Sequence, residues 1–246
     1  MSSKNDLIIY GRHPVVDTIR AGKPVDKVLL QQGIRGEFEK EIRHLCREFD
    51  IPFKVVPKDR LSKFSNGNHQ GIIALLSPIQ YFKIEDVLPM VYEQSRTPLF
   101  LLLDEVTDVR NFGSIARSAE VCGADAIIIP SKGAARINED AMKTSAGALS
   151  KIPVCRSSSL MNAIEFLQLS GIQIVASSLR AEKKLYELDL TVPTAFIIGS
   201  EGEGVSQALL RKADEQFIIP QLGETDSLNV SVATGIMMYE VMRQRR

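Results

Sequence analysis

Apolar residues fall in two different rhythms along this chain of 246 residues. From Leu99 onward, short and nearly continuous apolar runs recur at 99–103, 126–129, 172–176, 195–198 and 217–219. Segments with apolar positions three and four apart separate them. Uninterrupted apolar strands alternating with helices predict a parallel sheet buried on both faces. The first third is mixed. Residues 25–30, 52–56 and 71–76 read as strands, and 37–49 carries Phe38, Ile42, Leu45 and Phe49 at helical spacing. A polar loop of turn formers, 65–71, precedes the last of these strands. A connector with two prolines, Pro78 and Pro89, then carries a short helical pattern at 84–92. The pattern predicts an α/β fold in two domains: a small one over 1–77, a linker over 78–97, and a parallel-sheet domain over 98–246.

Composition narrows this picture. Hydrophobic residues make up 44% and charged residues 24%, enough to bury a proper core. No run nears the roughly 18 apolar residues of a membrane span, and the start of the chain lacks the apolar core of a secretory signal. Cys46, Cys122 and Cys155 lie far apart and fit neither a metal spacing nor a disulfide framework, so buried free thiols and a cytoplasmic location are expected. His13, His44 and His69 are isolated, and no metal is expected. The net charge is zero, but residues 1–78 carry 13 Lys/Arg against 9 Asp/Glu (13 − 9 = +4), with −4 in the remainder. A basic first third suits a module that presents an acidic substrate.

Two strands of the second domain run into Gly- and acid-rich turns followed by helices: Ile198-Gly-Ser-Glu-Gly-Glu-Gly204 and Ile219-Pro-Gln-Leu-Gly-Glu-Thr-Asp-Ser-Leu-Asn229. Glycines let backbone approach a ligand, and helix N-termini offer free N–H groups. Neither turn has the Lys of a phosphate-binding P-loop or the G-x-G-x-x-G dinucleotide fingerprint. Upstream, Leu103-Asp-Glu-Val-Thr-Asp-Val-Arg-Asn-Phe-Gly-Ser-Ile-Ala-Arg-Ser-Ala119 also follows a strand and opens a helix. In parallel sheets ligands bind beyond the carboxyl ends of the strands, so all three segments belong to one rim.

Together the three segments resemble the signature motifs of the SpoU (TrmH-type) RNA 2'-O-ribose methyltransferases of the SPOUT superfamily. Residues 227–245 look most like the bacterial branch that methylates a guanosine ribose in large-subunit ribosomal RNA. The resemblance implies S-adenosylmethionine as cofactor, RNA as substrate, a C-terminal trefoil knot and a homodimer. It also implies a substrate-binding N-terminal domain like certain ribosomal proteins, matched at Tyr10-Gly-Arg-His-Pro14 and His69-Gln-Gly71. Transfer RNA is the alternative substrate. A non-catalytic RNA-binding assembly factor and a small-molecule nucleotide-binding protein are readings from other classes.

Each residue named by the resemblance also has a simpler reading. Asn111 suits a helix N-cap and falls where the family places a motif Asn. Arg117 is positioned to pair with Glu120 at i+3 and matches the family's catalytic Arg. Where the family usually has Asp-Pro, this chain has Asp108-Val109. Glu201 sits near the first turn of a helix, favourable for a carboxylate, or orients Arg117 or the cofactor. Ser227 is a natural N-cap of a final helix over 228–243, and with Asn229 it matches the family's catalytic site. Main-chain contacts to the cofactor are implied at Gly199, Ile219 and Leu228; Ser200 and Ser177 lie on the same rim. For RNA, the expected contacts are Arg12, Arg60, Lys63, His69 and Gln70, with His13, Arg35 and Lys58 nearby. Few aromatics are present, so base stacking is not the expected mode.

Overall fold

A computed structural model describes residues 7–64, 68–223 and 227–246. The turn formers Ser65–Gly67 and the acidic segment 224–226 singled out above lie outside the described residues, as do the first six. The chain divides into two compact units, Met1–Gln80 and Tyr81–Arg246.

The first unit is a four-stranded sheet in the order β1-β4-β2-β3. Its elements are β1 (Ile8–Tyr10), α1 (Arg12–Arg20), β2 (Val25–Gln31), α2 (Glu37–Glu48), β3 (Phe53–Val56), α3 (Lys58–Ser62) and β4 (Ile72–Leu76). β4 runs antiparallel to both β1 and β2, while β3 lies parallel to β2. One face of the sheet buries Val15, Ile19, Val28, Leu30, Ile42, Leu45 and Ala74 against α1 and α2. The other buries Leu29, Val56, Leu61, Ile73 and Leu75. Two-sided burial explains why 28–30 and 72–76 are apolar throughout rather than alternating. β1 and α1 were not foreseen, because the strand has only three residues and its helix follows at once.

The second unit contains β5 (Tyr81–Phe82), α4 (Ile84–Glu93), β6 (Leu99–Leu103), α5 (Val109–Val121), β7 (Ala126–Pro130), α6 (Glu139–Thr144), β8 (Val154–Ser157) and α7 (Leu160–Leu169). It continues with β9 (Gln173–Ser177), β10 (Thr194–Ile198), α8 (Gln207–Leu210), β11 (Glu215–Phe217) and α9 (Val230–Arg245). Seven strands in the order β11-β9-β10-β6-β7-β8-β5 form a sheet, and every neighbouring pair is parallel. The expected α/β parallel sheet is therefore present. The segment expected to be a linker departs from expectation: β5 joins the sheet beside β8, and α4 buries Ile84, Val87, Leu88 and Val91 in its core. Pro89 does not break α4. β8 carries a polar Arg156 and Ser157, which hid it from a search for apolar runs.

Helices α4, α7 and α8 cover one face of this sheet, over Phe100, Leu102, Ile128, Ile174 and Ile197. Side chains alternate along a strand, so Leu101, Leu103, Ile127 and Phe196 serve the opposite face, where α5 packs between α6 and α9. Gly113 makes the α5–α6 contact possible, since a Cβ there would lie 2.8 Å from Thr144 Cβ and 2.9 Å from Ala141 O.

The far end of α9 is fastened by charged donors on backbone acceptors. Arg245 Nε donates to Leu190 O at 2.8 Å, Nη1 to Thr97 O at 2.8 Å, and Nη2 to Val192 O at 2.7 Å and Pro98 O at 3.2 Å. Gln244 exchanges two hydrogen bonds with Leu188 O and Leu190 N. Nearby Asp125 accepts from Leu99 N at 2.8 Å and pairs with Arg96 at 2.7 Å. Burial pushes the Asp125 carboxyl pKa up; the Leu99 N–H, Arg96 and Arg245 oppose it. Burial lowers the pKa of Arg245, with Asp125 acting in the other direction. The guanidinium fork matches several carbonyls at once, as a Lys ammonium does not.

All three cysteines are free thiols. Burial is the leading cause that pushes Cys46 and Cys155 up to about 12. No helix among the described residues is long and apolar enough to cross a membrane.

Candidate functional site

The site lies at the carboxyl ends of β6 and β10, neighbours in full register from Thr194↔Leu99 to Ile198↔Leu103. From β6 the chain proceeds to β7 and β8 on one side, whereas β10 and β9 occupy the other. That reversal of strand order is where parallel sheets open a crevice for ligands.

Asp108 caps α5, its Oδ1 accepting from Arg110 N at 2.9 Å and Asn111 N at 2.8 Å. The cap is therefore Asp108 and not the expected Asn111, which lies three residues further on. Val109 takes the first helical position, where Pro is favoured but not required; the missing Pro leaves the cap intact. Freed from capping, the Asn111 side chain donates from Nδ2 to Glu201 Oε2 at 3.1 Å.

Helix α9 repeats the pattern. Asn229 is its N-cap, its Oδ1 accepting from Ser231 N at 3.0 Å and Ser231 Oγ at 2.6 Å. Ser227, expected to cap, lies two residues ahead of the cap and is exposed. With its oxygen committed, Asn229 presents Nδ2 to Asn111 Oδ1 at 3.1 Å and to Glu201 Oε1 at 3.4 Å. An ionised carboxylate can only accept, so both amides must turn nitrogen toward Glu201. The cap and the carboxylate together fix both amide orientations, which heavy-atom positions alone do not. Three residues expected to be functional, Asn111, Glu201 and Asn229, thus meet from three segments.

Glu201 stands on the turn after β10, a closed hairpin in which Ser200 N donates to Gly204 O at 3.1 Å and Gly204 N to Ser200 O at 3.0 Å. A Cβ at Gly199 would lie 1.9 Å from Gly204 C, so only glycine fits. Gly202 and Gly204 adopt positive φ of 98° and 70°. Ile219 and Leu228 leave partly exposed apolar side chains on the third segment, Leu228 at 37%. Ser177 ends β9 half-buried, at the same edge of the sheet.

Arg117 is not part of this cluster. Six residues after Asn111, it lies about 120° around α5 and about 9 Å along it. It is exposed and makes no hydrogen bond or ion pair among the described residues. Glu120, its expected partner, pairs instead with Lys151 at 3.2 Å. Asp104, which no motif reading singled out, is buried at 8% exposure and accepts Ser206 N at 2.8 Å. An acid closing an otherwise wholly apolar strand was the available signal. Among the described residues no group of His, Cys, Asp or Glu is arranged to hold a metal ion.

In the first unit, strand register brings Tyr10 opposite Ile73, Leu30 opposite Ile72 and Gln31 opposite Val56. The segments after β1, β2 and β3 therefore share one end with the segment entering β4. Arg12, His13, Arg35, Lys58, Arg60 and Lys63 lie on these segments and are exposed. Gln70, at φ 49°, accepts Arg12 N on its Oε1 at 3.0 Å. The Arg12 guanidinium lies over the Phe38 ring, 4.7 Å from its centroid. His69 departs from expectation as an exposed contact: it is 9% exposed, and its Nδ1 accepts Gly71 N at 3.0 Å. It holds the turn in which Gly71 takes a left-handed φ of 77°, a conformation that favours glycine.

Replacing Asn229 separates the cap from the network. Asn229→Ala is expected to cost about 1 kcal/mol through the lost cap. Asn229→Asp keeps the cap but sets a second carboxylate beside Glu201, which raises the pKa of the pair. Its stability relative to wild type should be greater at pH 5 and fall as pH rises to 8, by chemical denaturation. Equal differences at both pH values would contradict the assigned contact.

Residues 98–239 match the SpoU rRNA Methylase family, and residues 8–82 match the family of RNA 2'-O ribose methyltransferase substrate-binding domains. A TrmH family tRNA/rRNA methyltransferase of Staphylococcus aureus (strain MSSA476) is 35% identical over 98% of this chain and 97% of its own. One from Bacillus subtilis (strain 168) is 33% identical over 100% and 98%. The crystal structure of the SpoU methyltransferase AviRb from Streptomyces viridochromogenes, in complex with AdoMet, superposes with a TM-score of 0.61 at 25% identity, covering 97% of this chain and 90% of that one. With both domain families matched in order and the relatives matched end to end, the chain belongs to the SpoU methylase family and is a methyltransferase.

Proposed function

We propose that this protein transfers a methyl group from S-adenosylmethionine to a ribose 2'-hydroxyl of RNA, with a guanosine of large-subunit ribosomal RNA the favoured target. The observation that carries the reading is the meeting of Asn111, Glu201 and Asn229 beside a turn whose first residue, Gly199, admits no side chain. S-adenosylmethionine supplies an electrophilic sulfonium methyl group. The turn 199–204 fits such a ligand: backbone at Gly199 and the Ser200 hydroxyl take its polar edges, Ile219 and Leu228 give adenine apolar walls, and Ser177 borders the same rim. The anionic Glu201 complements a sulfonium, while Asn111, Asn229 and Ser227 offer polar groups to ribose. The knotted path of the C-terminal segment is part of the same reading.

Arg117 serves the RNA. Guanidinium is effectively always protonated and is a poor base, so its role is to hold the target phosphate and stabilise the developing alkoxide. Its place on another face of α5 from Asn111 favours action across a homodimer. Val232, Ile236 and Tyr239 are 52%, 38% and 62% exposed and form an i, i+4, i+7 stripe on α9, the helix packed on α5. An apolar stripe of this kind marks an association surface, and a two-fold partner docked there gives Arg117 the partner's site to serve.

The basic end of the first unit is the proposed RNA contact. Five cations (Arg12, Arg35, Lys58, Arg60 and Lys63) face two acids (Glu37 and Asp59) on these segments. The guanidinium of Arg12, 4.7 Å from the centroid of the Phe38 ring, offers a cation to an unpaired base, a mode in which single-stranded RNA is commonly taken. Ribosomal RNA is favoured over transfer RNA by the likeness of 227–245 noted above.

Two measurements test this reading. Labelled S-adenosylmethionine with unmodified ribosomal and transfer RNA should give an alkali-resistant dinucleotide from ribosomal RNA. Arg117→Ala should lower the rate at least ~100-fold, and Arg117→Lys nearly as far, since the planar fork is lost. Label in transfer RNA alone would overturn the substrate, and full activity in Arg117→Lys the geometric role. Sedimentation at micromolar concentration should give twice the protomer mass; a single-protomer mass contradicts the dimer.

A further inference from the structure

Asp104 occupies a position that neither the motif reading nor the proposed mechanism uses. Its backbone N–H donates to Ile198 O at 2.8 Å, one residue beyond the last paired register of β6 and β10. Its Oδ2 accepts from Ser206 N, also at 2.8 Å. Ile198 and Ser206 are the two flanks of the glycine turn, which is closed on itself between Ser200 and Gly204. The whole turn thus hangs from one residue, by its main chain at the entry and by its carboxylate at the exit. Asp104 is 8% exposed, so this carboxylate is largely withdrawn from water and acts at short range.

The same residue aims the other strand's loop. Glu105 follows with φ 56°, a left-handed conformation uncommon for a residue with a side chain. Such strain persists only where the surroundings over-determine it. Here Asp104 is tied on one side, and on the other Val106 O accepts Ala135 N at 2.9 Å. Asp108 then caps α5 and delivers Asn111 to Glu201.

We infer that Asp104 is the positioning residue of the methyl-donor turn, setting the Gly199–Gly204 backbone for S-adenosylmethionine without touching either substrate. The inference rests on the reading of that turn as the cofactor site. The hydrogen bond runs to a charged acceptor, a class whose loss amounts to roughly tenfold or more in binding.

The test uses the full chain and measures S-adenosylmethionine binding by calorimetry, methyl transfer at saturating cofactor, and hydrogen exchange at the Ser206 amide. Asp104→Ala is expected to weaken cofactor binding about tenfold and speed exchange at Ser206, while kcat at saturation changes less than about threefold. Asp104→Asn retains an acceptor oxygen and should recover binding to within about threefold of wild type. If Asp104→Ala does not fold, Asp104→Glu, which keeps the charge but moves the oxygen, should show the same selective loss. Wild-type binding with unaltered affinity in Asp104→Ala overturns the inference alone. So does an Asp104→Asn variant as impaired as Asp104→Ala, or a loss confined to kcat. A wild-type protein that binds no S-adenosylmethionine overturns the cofactor reading and this inference with it.

Discussion

A carboxylate that can only accept hydrogen bonds governs the edge of the large sheet. Glu201 draws the amide nitrogens of Asn111 and Asn229 toward itself, and each amide reaches it because its own helix start is already satisfied. Asp108 relieves Asn111 of capping α5; the Oδ1 of Asn229 caps α9 and leaves its nitrogen free to turn inward. Residues 90 and 118 positions from Asn111 are thereby held in one cluster. Remove the acceptor, and two amides lose the group that fixes their orientation. The chemistry proposed at this rim depends on that order, because backbone recognition of a ligand requires loops already in place.

The cluster is held from below and from afar. Below it, Asp104 and the register of β6 with β10 fix the distance between the two loops. The far anchor is Arg245, where α9 ends on four backbone carbonyls around β6 and the segment before β10. α9 is therefore pinned at both ends, by Asn229 in the site and by Arg245 at the amino ends of β6 and β10. A half-buried guanidinium costs desolvation free energy, which the carbonyls and the nearby Asp125 offset. Between the anchors, the helix buries Met237, Met238 and Val241 and leaves Val232, Ile236 and Tyr239 uncovered.

Periodicity made most of the large sheet legible, because a strand buried on both faces is apolar at every position. It failed where that condition fails: β8 ends in Arg156-Ser157, β5 is two residues long, and β11 stops at Phe217, where Ile218 and Ile219 prolonged the apolar run. The motif residues Asn111, Glu201 and Asn229 were named from their segments, but their mutual contacts are tertiary and no spacing encodes them. The caps lie three residues before Asn111 and two after Ser227, since Asp108, Asn111, Ser227 and Asn229 are all residues that cap well. His69 looked like a surface group in a polar loop. It is instead turned inward, its Nδ1 accepting from Gly71 N.

If Glu201 unites the two amides, Asn111 and Asn229 cannot act independently. The direct measurement is a double-mutant cycle on methyl transfer to RNA with Asn111→Ala, Asn229→Ala and the pair, alongside wild type. Residues in contact within one network are expected to couple by about 1 kcal/mol or more, so the double variant should lose markedly less than the sum of the single losses. Strictly additive losses would mean that the two residues act separately and that the cluster around Glu201 does not organise the site.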